Sequence, residues 1–338
     1  MATRIEGIFT PTLVPMDSQG EIDEAELRRF ARWLIDRGVH GLYPNGSTGE
    51  FTRMNAEERR RVVKIVCEEA RGRVPVLAGA AEANVKETLA ACEAYAGMGA
   101  VAVAIVPPFY FRLSPDGVYA YFAEIARRAP IDVTLYNIPH FASAIDLPTI
   151  RRLAEFPRIV GIKDSSGDAS FMMRMIAAIR PSRPDFTFLC GWEAMLAPML
   201  FVGATGGTNA SSNVIPEVTR RIYDLSKAGR HDEALKWNYR LLDAFDVMIS
   251  AKFEFPDGFR LGAEMRGFRF GHGRQPLSAA QESERLALQS VLQCLLSDLG
   301  IVEPPAAGCA PRTGDIETDK IAQVVYEVMN VLEKRGLV

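Results

Sequence analysis

A lysine closes the apolar run Ile159-Val160-Gly161-Ile162-Lys163-Asp164. Such a run reads as a buried strand, where an ammonium is costly unless it is paired or neutralised. Desolvation lowers an amine's pKa, and a neutral amine attacks carbonyl carbon. Lys163 is therefore a candidate Schiff-base nucleophile. The competing reading is an ion pair with Asp164 or a neighbouring strand. Tyr136-Asn137-Ile138-Pro139 closes another apolar run. A tyrosine there relays protons if a partner holds its hydroxyl, and otherwise packs in the core. Asn45-Gly46-Ser47-Thr48-Gly49-Glu50 sets two hydroxyls between two glycines. The backbone N–H groups of such a turn suit a carboxylate or phosphate, although a structural turn with a helix cap has the same pattern. If all three segments face one mouth, they supply what an imine with a 2-oxo acid needs: an amine, a proton shuttle and a carboxylate cradle.

The elements that must position them alternate. Short β-prone runs lie at Gly7–Val14, Gly41–Asn45, Val74–Ala78, Val101–Val106, Ile131–Tyr136, Ile159–Lys163, Phe186–Cys190 and Thr205–Ala210. Amphipathic stretches separate them. Asp23–Arg37 carries Leu27, Phe30, Ala31, Leu34 and Ile35 at helical spacing,. Asn55 before Ala56-Glu57-Glu58 reads as an N-cap, and Met98-Gly99 as a helix stop. Eight strand-then-helix units predict parallel pairing and an α/β fold, a (β/α)8 TIM barrel. A doubly wound sheet is disfavoured, because Thr10-Pro11-Thr12 does not resemble a phosphate turn. In a barrel, chemistry sits at the C-terminal ends of the strands, where Ser47, Thr48, Tyr136 and Lys163 fall. The expected division is a catalytic barrel at 1–228 and a C-terminal helical region at 229–300. A linker and an extra helix (Ile316–Lys334) at 301–338 follow.

Composition narrows the class. Lys and Arg number 39 against 42 Asp and Glu, a formal charge of −3, and 48% of residues are hydrophobic. This near balance fits neither a nucleic-acid partner nor a disordered chain. No apolar stretch approaches about 18 residues, so no membrane span or membrane partner is expected. The five scattered cysteines form no C-x-x-C pair. They read as free thiols in a reducing cytoplasm rather than a disulfide framework or zinc site. The four histidines (His40, His140, His231, His272) show no metal-ligand spacing,. No metal or organic cofactor is expected.

With Gly46-Ser47-Thr48-Gly49-Glu50, Tyr136-Asn137-Ile138-Pro139, and Gly161-Ile162-Lys163-Asp164-Ser165-Ser166-Gly167-Asp168 in this order, the chain resembles the pyruvate-dependent class I aldolases. These form the dihydrodipicolinate synthase and N-acetylneuraminate lyase family. Pro107-Pro108-Phe109-Tyr110 and Gly203-Ala204-Thr205-Gly206-Gly207 also fit, and the likeness spans about residues 6–298. The resemblance implies that Lys163 forms the imine and that Tyr136 moves protons. It also implies that Ser47 and Thr48 hold the carboxylate, with their hydroxyls linked to Tyr136. Tyr110 matches a tyrosine that reaches a neighbouring subunit's site in some members, and a homo-oligomer, dimer or tetramer, is implied.

Departures from the family pattern narrow the substrate. Dihydrodipicolinate synthases carry an arginine two positions after Tyr-Asn-x-Pro to bind a distal carboxylate; here Phe141 stands there,. Neuraminate lyases and sugar-acid aldolases carry a non-arginine residue at that position. Gly191-Trp192-Glu193 resembles their segment that contacts substrate hydroxyls, and Thr208 and Asn209 add polar groups near the mouth. Glu193 caps a helix in the alternative reading, and His140 either touches substrate or lies on a surface loop. The expected function is a lyase that cleaves 2-keto-3-deoxy sugar acids or similar hydroxylated 2-oxo acids to pyruvate. A dehydratase of the same family, a 4-hydroxy-tetrahydrodipicolinate synthase and a non-catalytic ligand-binding barrel are its rivals.

Overall fold

The computed structural model describes residues 5–250, 254–306 and 308–309. Eight strands form the barrel: Gly7–Thr10 (β1), Gly41–Leu42 (β2), Leu77–Gly79 (β3), Ala102–Ile105 (β4), Asp132–Asn137 (β5), Ile159–Asp164 (β6), Thr187–Cys190 (β7) and Gly206–Gly207 (β8). All pair in parallel in the order β2-β1-β8-β7-β6-β5-β4-β3. A parallel bridge between Leu42 and Val76, with the Leu42 N–H donating to Pro75 O at 3.1 Å, closes the ring. The (β/α)8 TIM barrel expected from the sequence is the fold observed. β2 and β8 stop early because their apolar runs continue as the loops that build the mouth.

The intervening helices begin and end where the local chemistry dictates. Helix α1 (Glu24–Asp36) starts at Asp23, whose carboxylate accepts the Glu26 N–H. Helix α2 (Ala56–Ala70) starts in a capping box between Asn55 and Glu58,. Helix α3 (Val85–Met98) ends at Gly99, whose φ of 95° favours a residue without Cβ,. Helices α4 (Pro115–Arg128), α5 (Leu147–Leu153), α6 (Ala169–Ile179), α7 (Leu196–Phe201) and α8 (Pro216–Lys227) complete the outer layer. Three more follow: α9 (His231–Met248), α10 (Asp257–Met265) and α11 (Ala279–Asp298). They pack with the barrel into one compact unit ending at Glu303. The helix expected at 316–334 lies outside the described residues.

Strand alternation divides the core in two and aims the site. Ile8, Val103, Leu135, Ile162 and Phe188 point outward into the layer shared with the helices. Their neighbours Phe9, Ala102, Ala104 and Leu189 point inward and fill the barrel with Tyr43 and Leu77. Because Ile162 and Leu135 face outward, Lys163 and Tyr136 must face inward.

One expectation is corrected. Cys67, Cys92 and Cys190 are free and buried, but Cys294 and Cys309 are disulfide-bonded rather than free thiols. An odd count and scattered spacing carry no information about which sulfurs approach in space. Among the described residues, no helix is long and apolar enough to cross a membrane.

Candidate active site

Lys163 and Tyr136 are register partners on β6 and β5. Adjacent parallel strands in register bring their inward side chains side by side. The Lys163 Nζ lies 4.1 Å from the centroid of the Tyr136 ring and 5.0 Å from that of Tyr43. Lys163 is only 4% exposed. Among the described residues it makes no ion pair or hydrogen bond. The competing reading of a structural pair with Asp164 does not hold. Asp164 faces the other way, accepting from Asn137 Nδ2 at 2.7 Å and Ser166 Oγ at 2.6 Å. Burial raises the Asp164 carboxyl against those hydrogen bonds, and burial with the nearby Tyr136 raises the Tyr43 phenol well above its ordinary range. The amine is therefore buried, unpaired among the described residues and held against two aromatic faces.

The turn after β2 is drawn close to β3. A Cβ on Gly79 would lie 2.0 Å from Asn45 O, so only glycine allows the approach. Asn45 and Glu50, at each end of the turn, take left-handed φ values of 59° and 55°. Asn45 is held by Nδ2 donation to Arg59 O and to the Tyr95 hydroxyl. Glu50 is held by Arg53 at 2.6 Å and by the buried Arg260 of α10. Between these anchors the N–H groups of Ser47 and Thr48 donate to no described residue, the arrangement that accepts an anion,. Both residues line the same cavity as Lys163 and Tyr136. No hydrogen bond joins either hydroxyl to Tyr136, so the expected relay is assembled in one space without being closed.

That cavity is about 340 Å³. Gly191, Glu193, Thr208 and His140 also line it. Gly191 sits where no side chain fits: a Cβ would lie 2.1 Å from Ser165 Oγ and 2.8 Å from Lys163 Cε. Glu193 accepts from the Ser211 N–H at 2.9 Å, so its carboxylate ties the β7 and β8 loops together beside the cavity. Burial raises its pKa, while that hydrogen bond and the charge of Lys163 pull it back. Tyr110 is not brought in: it is 91% exposed and stacks edge-on with Phe111 at 5.0 Å.

Sequence reasoning missed two groups. Ser165 lines the cavity, and its buried hydroxyl, like that of Thr208, has no hydrogen-bond partner. Two residues after the lysine, Ser165 was within reach of the same strand-end logic. Phe245, Ile249, Phe255 and Phe259, from α9, α10 and their connection, also line the cavity. Trp192 meets Phe245 edge-on at 5.6 Å, and Phe255 meets Phe259 at 5.9 Å.

This arrangement has known counterparts. The family model described as the dihydrodipicolinate synthetase family matches residues 4–295. The chain belongs to that family. Within the dihydrodipicolinate synthetase family it is 32% identical over 298 residues to a 4-hydroxy-tetrahydrodipicolinate synthase of Methanopyrus kandleri, covering 87% of this chain and 98% of that one. It is equally 32% identical over 300 residues to an uncharacterized DapA-like lyase of Halobacterium salinarum, covering 88% and 95%. The dihydrodipicolinate synthase DapA-2 of Bacillus anthracis superposes with a TM-score of 0.81 at 31% identity, covering 87% and 99%. YagE of E. coli K12, solved in complex with pyruvate, gives 0.80 at 27%, covering 86% and 98%. This chain is a lyase of the dihydrodipicolinate synthetase family with phenylalanine, not arginine, at position 141.

Proposed function

We propose that this chain is a Schiff-base lyase that cleaves hydroxylated 2-oxo acids to pyruvate and an aldehyde. The observation that carries this reading is the buried Lys163 amine, unpaired among the described residues and 4.1 Å from the Tyr136 ring in the cavity lined by Ser47 and Thr48. The Ser47 and Thr48 N–H groups hold the substrate carboxylate. Lys163 attacks C2, and Tyr136 gives its proton to the C2 oxygen, which leaves as water, so that an iminium and the Tyr136 phenolate remain. Tyr136 takes the proton of the C4 hydroxyl, the C3–C4 bond breaks, and its electron pair moves toward the iminium nitrogen. C4 leaves as an aldehyde. The enamine is protonated at C3, and water releases pyruvate and the free amine. The imine is the electron sink, so the steps call on no metal or organic cofactor.

The unpartnered hydroxyls of Ser165 and Thr208, with Glu193, support a substrate bearing hydroxyl near C4, the class to which 2-keto-3-deoxy sugar acids belong. Phe141 weighs against 4-hydroxy-tetrahydrodipicolinate synthesis. We read the enzyme as a homo-oligomer, dimer or tetramer, in which Tyr110 reaches a neighbouring subunit's site. Its exposure beside Phe111 supports that placement.

Product analysis tests the reaction. A 4-hydroxy-2-oxo acid should yield free pyruvate and aldehyde in equal amounts; a 2-oxo acid that has lost water but no carbon would make the enzyme a dehydratase. Tyr136→Phe should lower kcat by about 10²–10⁴-fold, the usual worth of a positioned acid–base group. It should still form the pyruvate imine, and an unchanged kcat would reject the proton role.

A further inference from the structure

A second chamber of about 360 Å³ adjoins the lysine cavity and shares Ser47, Ile138, Phe141 and Phe255 with it. A substrate held by its carboxylate at Ser47 and by C2 at Lys163 lies against these shared walls, and one route for the chain beyond C4 runs past them. The chamber beyond is built from Phe51, Phe109, Val106 and Ala142. Phe51 and Phe109 meet edge-on at 5.8 Å and 87°, fixing two ring faces in place,.

Of the chamber's charged residues, Arg53 turns one Nη to Glu50, and the two carboxylates have partners. Both carboxylate oxygens of Glu50 are used, one by Arg53 and one by Arg260. Glu254 accepts from Gln281 Nε2 at 2.9 Å. The fully buried cavity-lining hydroxyls without partners, Ser165 and Thr208, belong to the inner cavity alone, while Ser47 and Thr52 are the hydroxyls of the second chamber. A polyhydroxylated tail would leave water here for walls that return few hydrogen bonds, whereas an apolar tail gains by burial.

We propose that the chain beyond C4 of the substrate is apolar, an aryl or alkyl group, so that the aldehyde released or condensed is an apolar one. This rests on the Lys163 lyase reading and narrows its substrate class, replacing the polyol of a sugar acid with an apolar group past the C4 hydroxyl. Phe51, Phe109, Phe141 and Phe255 set that preference.

The test uses the full chain in the condensation direction with pyruvate and three aldehydes: benzaldehyde, D-glyceraldehyde and succinic semialdehyde. Borohydride trapping of pyruvate runs in parallel. The expected result is a kcat/KM for benzaldehyde about 10-fold or more above either competitor, the scale that a fitted apolar pocket delivers. Phe109→Ala should reduce that preference about 5-fold or more, by lowering the benzaldehyde value more than the glyceraldehyde value. A preference for glyceraldehyde, for the carboxylated aldehyde or for none of the three, with pyruvate still trapped on Lys163, overturns the proposal and leaves the lyase reading standing. Failure to trap pyruvate overturns both.

Discussion

Lys163→Ala is expected to lower kcat by about 10⁴-fold or more, about 5.5 kcal/mol of barrier, in a protein that still folds. The size follows from the mechanism. Without the amine, no covalent intermediate forms and nothing withdraws electrons as C3–C4 breaks, so positioning by Ser47, Thr48 and Tyr136 acts on an unactivated ketone. The fold survives because Lys163 has no ion pair among the described residues to lose. Arg260 differs: its removal would leave Glu50 buried beside the anion turn with one counter-charge fewer,. Steady-state kinetics with thermal unfolding checks the expectation. Activity within about 10-fold of the parent would mean that another group carries the reaction.

Gly191→Ala should be the most damaging change at a residue with no functional group. The added carbon would lie 2.1 Å from Ser165 Oγ, 2.8 Å from Lys163 Cε and 3.2 Å from Asp164 O. The Gly191 N–H donates to Asp164 O at 2.7 Å, which pins the backbone, so the side chains must move. Displacing the amine by about 1 Å costs on the order of 10² in kcat, and forced repacking costs about 1–3 kcal/mol of stability. Gly97→Ala in α3 is the control: nothing lies within 4 Å of its Cβ position. There the helix should gain about 0.5–1 kcal/mol while kcat stays put. Equal kcat values for the two variants would show that the lysine tolerates displacement.

The barrel was legible because its two periodicities, apolar runs and three-and-four spacing, are local. The inward placement of Lys163 and Tyr136 was legible for a related reason: an ionisable or phenolic group closing an apolar strand conflicts with its setting and stands out. The helix cap at Asn55 was equally local, serving an N–H three residues on, and Asp23 and Asn84 do the same in the structure. What escaped depends on distance. The Glu50–Arg260 pair spans 210 positions, and no spacing rule links the anion turn to α10. Phe245 and Phe259 read as ordinary helix residues and Phe255 as part of their connection, because which face covers the mouth is decided only when α9 and α10 dock. The apolar second chamber escaped for that reason too, since its wall combines Phe51, Phe109, Phe141 and Phe255 from four separate segments. Phe141 was noticed as a missing arginine, not as part of an aromatic enclosure.

Borohydride reduction in the presence of pyruvate, followed by peptide mass spectrometry, bears most directly on the central claim. One reduced pyruvate should appear on the peptide carrying Lys163, and Lys163→Ala should remove it. An adduct on any other lysine, or none at all with the folded protein saturated in pyruvate, would contradict the account.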